Sequence, residues 1–274
     1  MLKHARDLAR TICQEPRQSV GVIRNLADSI RGSAYAAGWP RLPSEGANGP
    51  PEAANAPLPS PNPLLLYFDS HQSGKGIFKW RHYFEIYHRH FAKFVGREVH
   101  IMEIGVFSGG SLDMWKTYFG SRCHVYGVDI EPACKTYEGD RVKIFIGDQG
   151  DRKFWKTLRE QVPTLDIVVD DGGHLPEQQI IALEEILPHL RPGGVYLCED
   201  VIWVHHRFAA FVAGLAEELN AWTGEPGRTL GFQSQIHSLH QYPFVTVIEK
   251  CEYPKDRLIA ERHGTEWQPW QPYA

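Results

Sequence analysis

The sequence predicts an α/β protein with a doubly wound, mostly parallel sheet that closes with an antiparallel C-terminal hairpin. Apolar, β-branched runs alternate with helical patterns, and strands separated by helices form βαβ units. Two late runs, 236–242 and 243–250, are too close for a crossover and must pair as a hairpin. Several runs end in carboxylates or glycines, as buried parallel strands do where they open into functional loops. The strands are expected at 99–105, 124–130, 142–147, 165–170 and 194–199, and the helices near 110–119, 151–161, 176–188 and 205–220.

Composition changes along the chain and suggests four segments. Residues 1–32 carry apolar residues at helical spacing and are expected to form a helical segment. Residues 33–63 are rich in Pro, Gly and Ala, which favours a linker or surface loop. Residues 64–252 form the α/β domain, and residues 253–274 are a C-terminal extension.

An aromatic segment precedes the first strand of the sheet. In residues 75–96 the side chains of Trp80, Phe84, Tyr87 and Phe91 recur at three- and four-residue steps. This spacing predicts a helix with one aromatic face.

Charge and cysteine usage exclude several classes of protein. The formal net charge of -4 and the pI near 6.4 argue against binding to nucleic acid. The 5 cysteines are scattered and contain no CxxC pair, so we expect neither a disulfide framework nor a thiolate zinc site, and a reducing cytoplasm is the expected location. No apolar run approaches the roughly 20 residues that span a bilayer, so no membrane partner is expected.

A glycine-containing loop follows the first strand and opens a helix. In it, Glu103 and Gly105 come first, and the dinucleotide fingerprint GxGxxG would need a glycine where Phe107 stands. Asp129 ends the second strand, where it can accept the hydroxyls of a ribose, and Asp148 ends the third, where it can meet an adenine amino group. Together these features suit an adenosine whose tail is an amino acid rather than a phosphate.

Carboxylates also follow the fourth and fifth strands. Asp171 leaves the fourth strand, and Glu199 and Asp200 leave the fifth. Neighbouring strands lie about 4.8 Å apart, so these groups can converge on one hard cation, for which Mg²⁺ or Mn²⁺ suits better than zinc. Convergence requires the chain to leave the strand at Glu199, because consecutive strand residues face opposite ways. His174, across two glycines from Asp171, is placed to take a proton from a hydroxyl that the metal acidifies.

These motifs resemble those of the class I S-adenosylmethionine-dependent methyltransferases. Glu103-Ile-Gly105 resembles the first motif, Asp129 the ribose acid, Asp148 the adenine-side acid, and residues 190–194 the turn before the fifth strand. The resemblance implies a Rossmann-like methyltransferase fold and S-adenosylmethionine as cofactor. The residues it implies for cofactor binding are Glu103, Gly105, Ser108, Gly109, Ser111, Asp129, Asp148, Gln149 and Asp170.

The order DDGGH then CED resembles a narrower group, the metal-dependent sugar O-methyltransferases of macrolide and related antibiotic biosynthesis and the cephalosporin hydroxylase-like proteins. The resemblance runs from about Leu64 to Lys250. It implies that Asp171, Glu199 and Asp200 bind magnesium, or manganese, and that His174 is the base, with Asp171 also catalytic. It further implies a homo-oligomer that methylates a hydroxyl of a small molecule, for example a glycosylated natural product.

Two alternatives remain open at this point. An iron-dependent hydroxylase could use the same carboxylates, although three carboxylates differ from the two-histidine, one-carboxylate iron site. A non-catalytic scaffold could keep the fold as an interaction surface, although a scaffold has no need of buried charge.

Overall fold

The computed structural model describes residues 28–38, 61–202 and 207–266. The chain divides into two compact units, Met1–Pro59 and Ser60–Ala274. In the first unit, residues 28–37 are helical and exposed, so this helix continues past the boundary expected after residue 32. The rest of the expected N-terminal helical segment, most of the expected linker and the last residues of the C-terminal extension lie outside the described residues.

The second unit is built around a seven-stranded sheet of order β3-β2-β1-β4-β5-β7-β6. The first five strands are parallel, and β7 pairs antiparallel with both β5 and β6. This is the doubly wound, mostly parallel sheet with an antiparallel hairpin that the sequence predicts. The strands are β1 Val99–Ile104, β2 Cys123–Asp129, β3 Val142–Ile146, β4 Leu165–Asp170, β5 Leu190–Cys198, β6 Ile236–Tyr242 and β7 Val245–Lys250.

Helices cover both faces of the sheet, which buries β4 along its whole length. One core packs the aromatic residues of α2 (Tyr83–Phe91) and α3 (Gly110–Phe119) against Ile101 and Val169. The other packs Trp155 and Leu183 against Met102 and Val168. Alternate residues of one strand thus enter opposite cores, as the two-residue period of a strand requires. The helices are α1 Pro63–Ser70, α2 Tyr83–Phe91, α3 Gly110–Phe119, α4 Arg152–Arg159, α5 Pro176–Ile186, α6 Arg207–Leu219 and α7 Gly231–Gln235.

The helix expected over residues 75–96 was predicted too long. α2 begins at Tyr83, and Trp80 lies outside it in residues 71–82, which have no regular helix or strand. This 71–82 segment is attached to α3, because Gly110 donates its N–H to the Gly76 carbonyl at 3.2 Å and Lys75 pairs with Asp113 at 3.0 Å. The aromatic spacing is therefore helical only from Phe84 onward.

α1 was not predicted, although its start carries a capping signal. The Asn62 side chain accepts hydrogen bonds from the backbone N–H groups of Leu64 and Leu65, and Pro63 occupies the first turn. β5 also begins earlier than predicted, because Leu190 already pairs with Leu165 before a register shift. Among the described residues, none of the helices has the length and apolar character that crossing a membrane requires.

Candidate active site

A cavity of about 480 Å³ opens at the carboxyl ends of the parallel strands. It lies where the strand order reverses between β1 and β4, the position at which open α/β sheets bind ligands. Its volume falls in the range of small-molecule sites. Residues of the β1–α3 loop, of the ends of β2 to β5 and of the 71–82 segment form its wall.

The β1–α3 loop is shaped by close backbone approach and by Asp129. Gly105 has φ +91, and a Cβ there would lie 2.0 Å from the Asp171 carbonyl oxygen, so only glycine fits. Asp129 Oδ2 accepts hydrogen bonds from the backbone N–H groups of Val106 at 2.8 Å and Phe107 at 3.0 Å. Asp129 therefore holds the loop while its carboxylate lines the cavity.

The residues expected to bind the cofactor divide into two groups. Those that line the cavity are Gly105, Ser108, Ser111, Asp129, Asp148 and Gln149, whereas Glu103, Gly109 and Asp170 are not part of its wall. Asp170 is fully buried and accepts hydrogen bonds from Gln149 at 2.6 Å and Tyr196 at 2.8 Å. It lies behind the wall and orients Gln149, so the structure does not support direct contact between Asp170 and a ligand in the cavity.

Glu103 is fully buried, and one of its two carboxylate oxygens has a hydrogen-bond partner. Its Oε2 accepts a hydrogen bond from Ser111 Oγ at 2.7 Å, while its Oε1 has no hydrogen-bond partner. Burial raises the pKa of Glu103 to about 7, against the lowering effect of the Lys79 charge. A buried carboxylate oxygen without a hydrogen-bond partner is what the ammonium group of an amino-acid ligand would satisfy, so the residues present fit the cofactor that the sequence implies.

The acidic residues after β4 and β5 come together as the sequence predicts. Asp170 is in register with Cys198, so Asp171 and Glu199 follow side by side. The strand ends at Cys198, and Asp200 has φ +53, a conformation that non-glycine residues rarely adopt. This turn is the departure from the strand that convergence requires, and Asp171, Glu199 and Asp200 all line the cavity.

His174 faces two of these carboxylates. Its Nε2 lies 3.6 Å from Asp200 Oδ2 and 3.9 Å from Asp171 Oδ1, and one ligand atom from each of the three residues lies within 4.8 Å of the others. The Nδ1 of His174 has no hydrogen-bond partner, and its φ is +55. We call Asp171, His174 and Asp200 the cleft cluster. Its oxygen donors fit a hard divalent cation, and left-handed backbone at two of its three residues is typical of functional sites.

Glu199 lies beside the cleft cluster and is paired with Tyr87 and Lys79. Its Oε1 accepts a hydrogen bond from the Tyr87 hydroxyl at 2.6 Å, and both of its carboxylate oxygens lie 3.1 Å from Lys79 Nζ. The same ammonium group lies 2.5 Å from Asp171 Oδ2 and 3.7 Å from Glu103 Oε1. Lys79 was missed by sequence reasoning, and the one local sign of it is a charged residue in the otherwise apolar stretch Ile-Phe-Lys-Trp.

The charges in this buried group affect one another strongly. Burial opposes the charge on Lys79, but Glu199, Asp171 and Glu103 outweigh burial and raise the pKa of the lysine. Burial and the Asp171 charge raise the pKa of Glu199 well above its usual range. One ammonium group cannot offset the charge of three carboxylates, so the pKa of Lys79 and the pKa of Glu199 are both raised.

A second histidine–carboxylate group lies at the sheet edge and was also missed. His90 of α2, His240 of β6 and Glu249 of β7 have ligand atoms within 4.8 Å of one another, and we call them the edge cluster. His90 Nδ1 lies 3.0 Å from Glu249 Oε1, and its Nε2 lies 2.9 Å from the Tyr242 hydroxyl. Both nitrogens of His90 are thus paired within the protein.

Comparison with known proteins agrees with this geometry. Residues 102–201 match the family described as Methyltransferase domain. The chain is 33% identical over 198 residues to 8-demethyl-8-alpha-L-rhamnosyl tetracenomycin-C 2'-O-methyltransferase of Streptomyces olivaceus, covering 69% of this chain and 50% of that protein. It is 31% identical over 189 residues to mycinamicin VI 2''-O-methyltransferase of Micromonospora griseorubida, covering 60% of this chain and 47% of the relative. The chain therefore spans about half the length of the curated relatives it matches.

Among solved structures, the chain is similar to the methyltransferase MycE of the mycinamycin biosynthetic pathway in complex with Mg and SAH. The TM-score is 0.59 and the identity 27%, with 70% of this chain and 55% of MycE covered. A second MycE complex, which also holds mycinamycin VI, matches with the same TM-score of 0.59. The fold, the family match over residues 102–201 and the O-methyltransferase relatives together identify this chain as carrying a class I S-adenosylmethionine-dependent methyltransferase domain.

Proposed function

We propose that this protein is a magnesium-dependent S-adenosylmethionine O-methyltransferase that acts on a sugar hydroxyl of a glycosylated natural product. The observation that carries the proposal is the cleft cluster, in which two carboxylates and an imidazole face one another beside the cavity. An acceptor hydroxyl held there would meet both a hard cation site and a base. The relatives named above are, by their names, O-methyltransferases of a rhamnosyl tetracenomycin C and of mycinamicin VI.

In this proposal the cofactor occupies the part of the cavity that β1, β2 and β3 form. Asp129 and Asp148 would receive the ribose and adenine ends, and Glu103 Oε1, which has no hydrogen-bond partner, would receive the amino group. Gly105 allows the close approach that a side chain would block. Ser108 and Ser111 add hydroxyl groups to the wall on the same side.

The proposed chemistry needs a methyl donor and an acidified acceptor. When bound, S-adenosylmethionine supplies an activated methyl group and magnesium lowers the pKa of a hydroxyl that it holds. Asp171 and Asp200 would hold the metal, with Glu199 as a third ligand, and His174 would accept the hydroxyl proton. The rigid strand ends that carry these groups would place the acceptor oxygen in line with the methyl group, which contributes through proximity.

The remaining parts of the proposal concern the setting of the enzyme. We place it in the cytoplasm, as a homo-oligomer, and in the tailoring of a secondary metabolite. The biosynthetic setting has support from the similar enzyme MycE, which belongs to the mycinamycin biosynthetic pathway.

The deciding experiment is calorimetric titration of S-adenosylmethionine and of Mg²⁺ into EDTA-treated protein, followed by assay of S-adenosylhomocysteine release with glycosylated acceptors. We expect cofactor binding, and a separate Mg²⁺ signal that is lost in Asp171→Asn. The same signal should persist in Asp140→Asn, a change at an exposed loop residue. Absence of cofactor binding in every condition would remove the proposal and favour the scaffold alternative.

A further inference from the structure

We propose that Lys79 is an internal counter-ion that occupies the metal position between Asp171 and Glu199, so that a divalent cation must expel its ammonium group to bind. The inference rests on the proposed function, because it takes Asp171 and Glu199 as metal ligands. It assigns to Lys79 a role in setting the metal affinity of the site, as a residue that competes with the metal.

Lys79 Nζ lies 2.5 Å from Asp171 Oδ2 and 3.1 Å from both Glu199 oxygens, and its side chain is 4% exposed. A magnesium ion takes oxygen ligands at about 2.1 Å in octahedral geometry. To bind Glu199 it would compete with the ammonium group for both carboxylate oxygens, and at Asp171 it would compete for Oδ2. Two cations cannot share the lone pairs of those oxygens without strong repulsion at this distance.

Asp171, His174 and Asp200 offer ligand atoms within 4.8 Å of one another, whereas the Glu199 carboxylate is paired with Lys79 and with the Tyr87 hydroxyl. While the ammonium group stays between Asp171 and Glu199, the two carboxylates cannot close on one ion. Departure of Lys79 is therefore the change that completes the three-carboxylate site.

Lys79 lies on the 71–82 segment, which has no regular helix or strand and which lines the cavity through Gly76, Ile77, Phe78 and Trp80. A side chain on such a segment can leave without breaking a strand or helix ladder. Its departure would also shift residues on the wall of the cofactor cavity.

The test measures binding of Mn²⁺ alone to EDTA-treated full-length protein, by calorimetry and by the electron paramagnetic resonance signal of free Mn²⁺. The variants are Lys79→Met and Lys79→Gln, and the matched control is Lys75→Met, which removes a half-exposed lysine four residues away. We expect both Lys79 variants to bind Mn²⁺ at least about tenfold tighter than wild type, since a like charge within a few ångströms is removed. The control should bind as wild type does.

Folding is checked in the same series. Without a metal, the Lys79 variants leave the buried Glu103 and Glu199 and the partly buried Asp171 without their counter-ion. We therefore expect a lower melting temperature in EDTA that Mn²⁺ restores. Lys79→Gln keeps hydrogen-bond donors, so it serves if Lys79→Met does not fold.

The outcomes separate the two proposals. Tighter binding in the Lys79 variants supports the inference, even if wild type binds too weakly to measure. Equal or weaker binding in those variants overturns it and leaves the proposed function standing. Absence of Mn²⁺ binding in all variants would overturn the metal dependence in the proposed function, and the inference with it.

Discussion

The cleft cluster and the edge cluster contain the same kinds of side chain and differ in how those side chains are paired. In the edge cluster, both nitrogens of His90 are engaged, by Glu249 and Tyr242. In the cleft cluster, His174 Nδ1 has no partner, and Nε2 is more than 3.5 Å from either carboxylate. A satisfied group stabilises the fold, whereas a group that is left unpaired beside a cavity is available to a ligand.

The backbone shows the same difference. His174 and Asp200 have φ values of +55 and +53, whereas His90, His240 and Glu249 lie within a regular helix and two regular strands. Positive φ in non-glycine residues costs free energy and persists where the surrounding structure imposes it. The cleft cluster thus carries strain and unpaired atoms together, and the edge cluster carries neither.

The largest expected effect comes from Asp171→Asn. This change removes a charge from the cleft cluster, and we expect methyl transfer to fall by more than about 10³-fold, since metal stabilisation of the transition state is worth several kcal/mol. Initial rates at saturating Mg²⁺ and cofactor measure it. Activity within a few fold of wild type would place the metal elsewhere, and Asp140→Asn is the control for loss of a carboxylate.

The next largest effect distinguishes His174 of the cleft cluster from His240 of the edge cluster. We expect His174→Ala to lower kcat about 10²- to 10³-fold with unchanged S-adenosylmethionine binding, because a general base contributes on that scale. His240→Ala, in the edge cluster, should leave kcat within about twofold of wild type, on the same argument that only a base in the cleft contributes. If the two variants behave alike in steady-state assays and calorimetry, the distinction between the clusters fails.

The free energy of unfolding should depend on the edge cluster, whereas activity should depend on the cleft cluster. We expect His90→Ala to lower the free energy of unfolding by about 2–4 kcal/mol, since it opens a cavity and leaves Glu249 and the Tyr242 hydroxyl without a buried partner. Urea denaturation measures the loss, and Mn²⁺ affinity should not change. A loss below about 0.5 kcal/mol, the size of an ordinary surface substitution, would mean that the edge cluster is not structural.

The smallest effect depends on pH. The hydrogen bond to His90, aided by the Lys93 charge, lowers the pKa of Glu249 from 4.5 to about 2. A carboxyl whose pKa is lower in the folded state stabilises the fold above its unfolded pKa, and this contribution is lost as pH falls from about 4.5 toward 2. His240 of β6 also faces this group.

We therefore expect Glu249→Gln to be less stable than wild type by roughly 2 kcal/mol at pH 6, and the difference to shrink steadily as the pH is lowered to 3. Urea titrations of both proteins at several pH values measure it. A difference that does not change with pH would show that the charge on Glu249 is not what stabilises the edge cluster.

Several elements of the fold were predictable within a few residues. Strands expected at 142–147 and 165–170 are found at Val142–Ile146 and Leu165–Asp170. Buried parallel strands are continuous apolar runs, so their signal is local. The helix expected over 75–96 shows where prediction from local spacing fails. The aromatic spacing fits a helix at Trp80, but the chain there lines the cavity and the helix begins at Tyr83.

The residues of the candidate site were likewise predictable only where their signal is local in the sequence. Asp171, His174, Glu199 and Asp200 were predicted from short motifs at strand ends, where topology brings neighbours together. The partners of Lys79 lie 92 residues away at Asp171 and 120 residues away at Glu199. His90 likewise meets Tyr242 152 residues later and Glu249 159 residues later. Pairs at such separations leave no local pattern, so sequence reasoning had no means of finding them.

The sequence by itself determined the order of strands and helices, the parallel sheet with its closing hairpin, and the acids that gather at the carboxyl edge, because period and strand-end chemistry are local properties. Only the tertiary structure decided which of those polar groups are paired. It placed Lys79 between two acids and left His174 Nδ1 and Glu103 Oε1 without hydrogen-bond partners. It also gave both nitrogens of His90 a partner. Pairing depends on distances of a few ångströms between groups far apart in the chain, and those distances exist only once the core has packed.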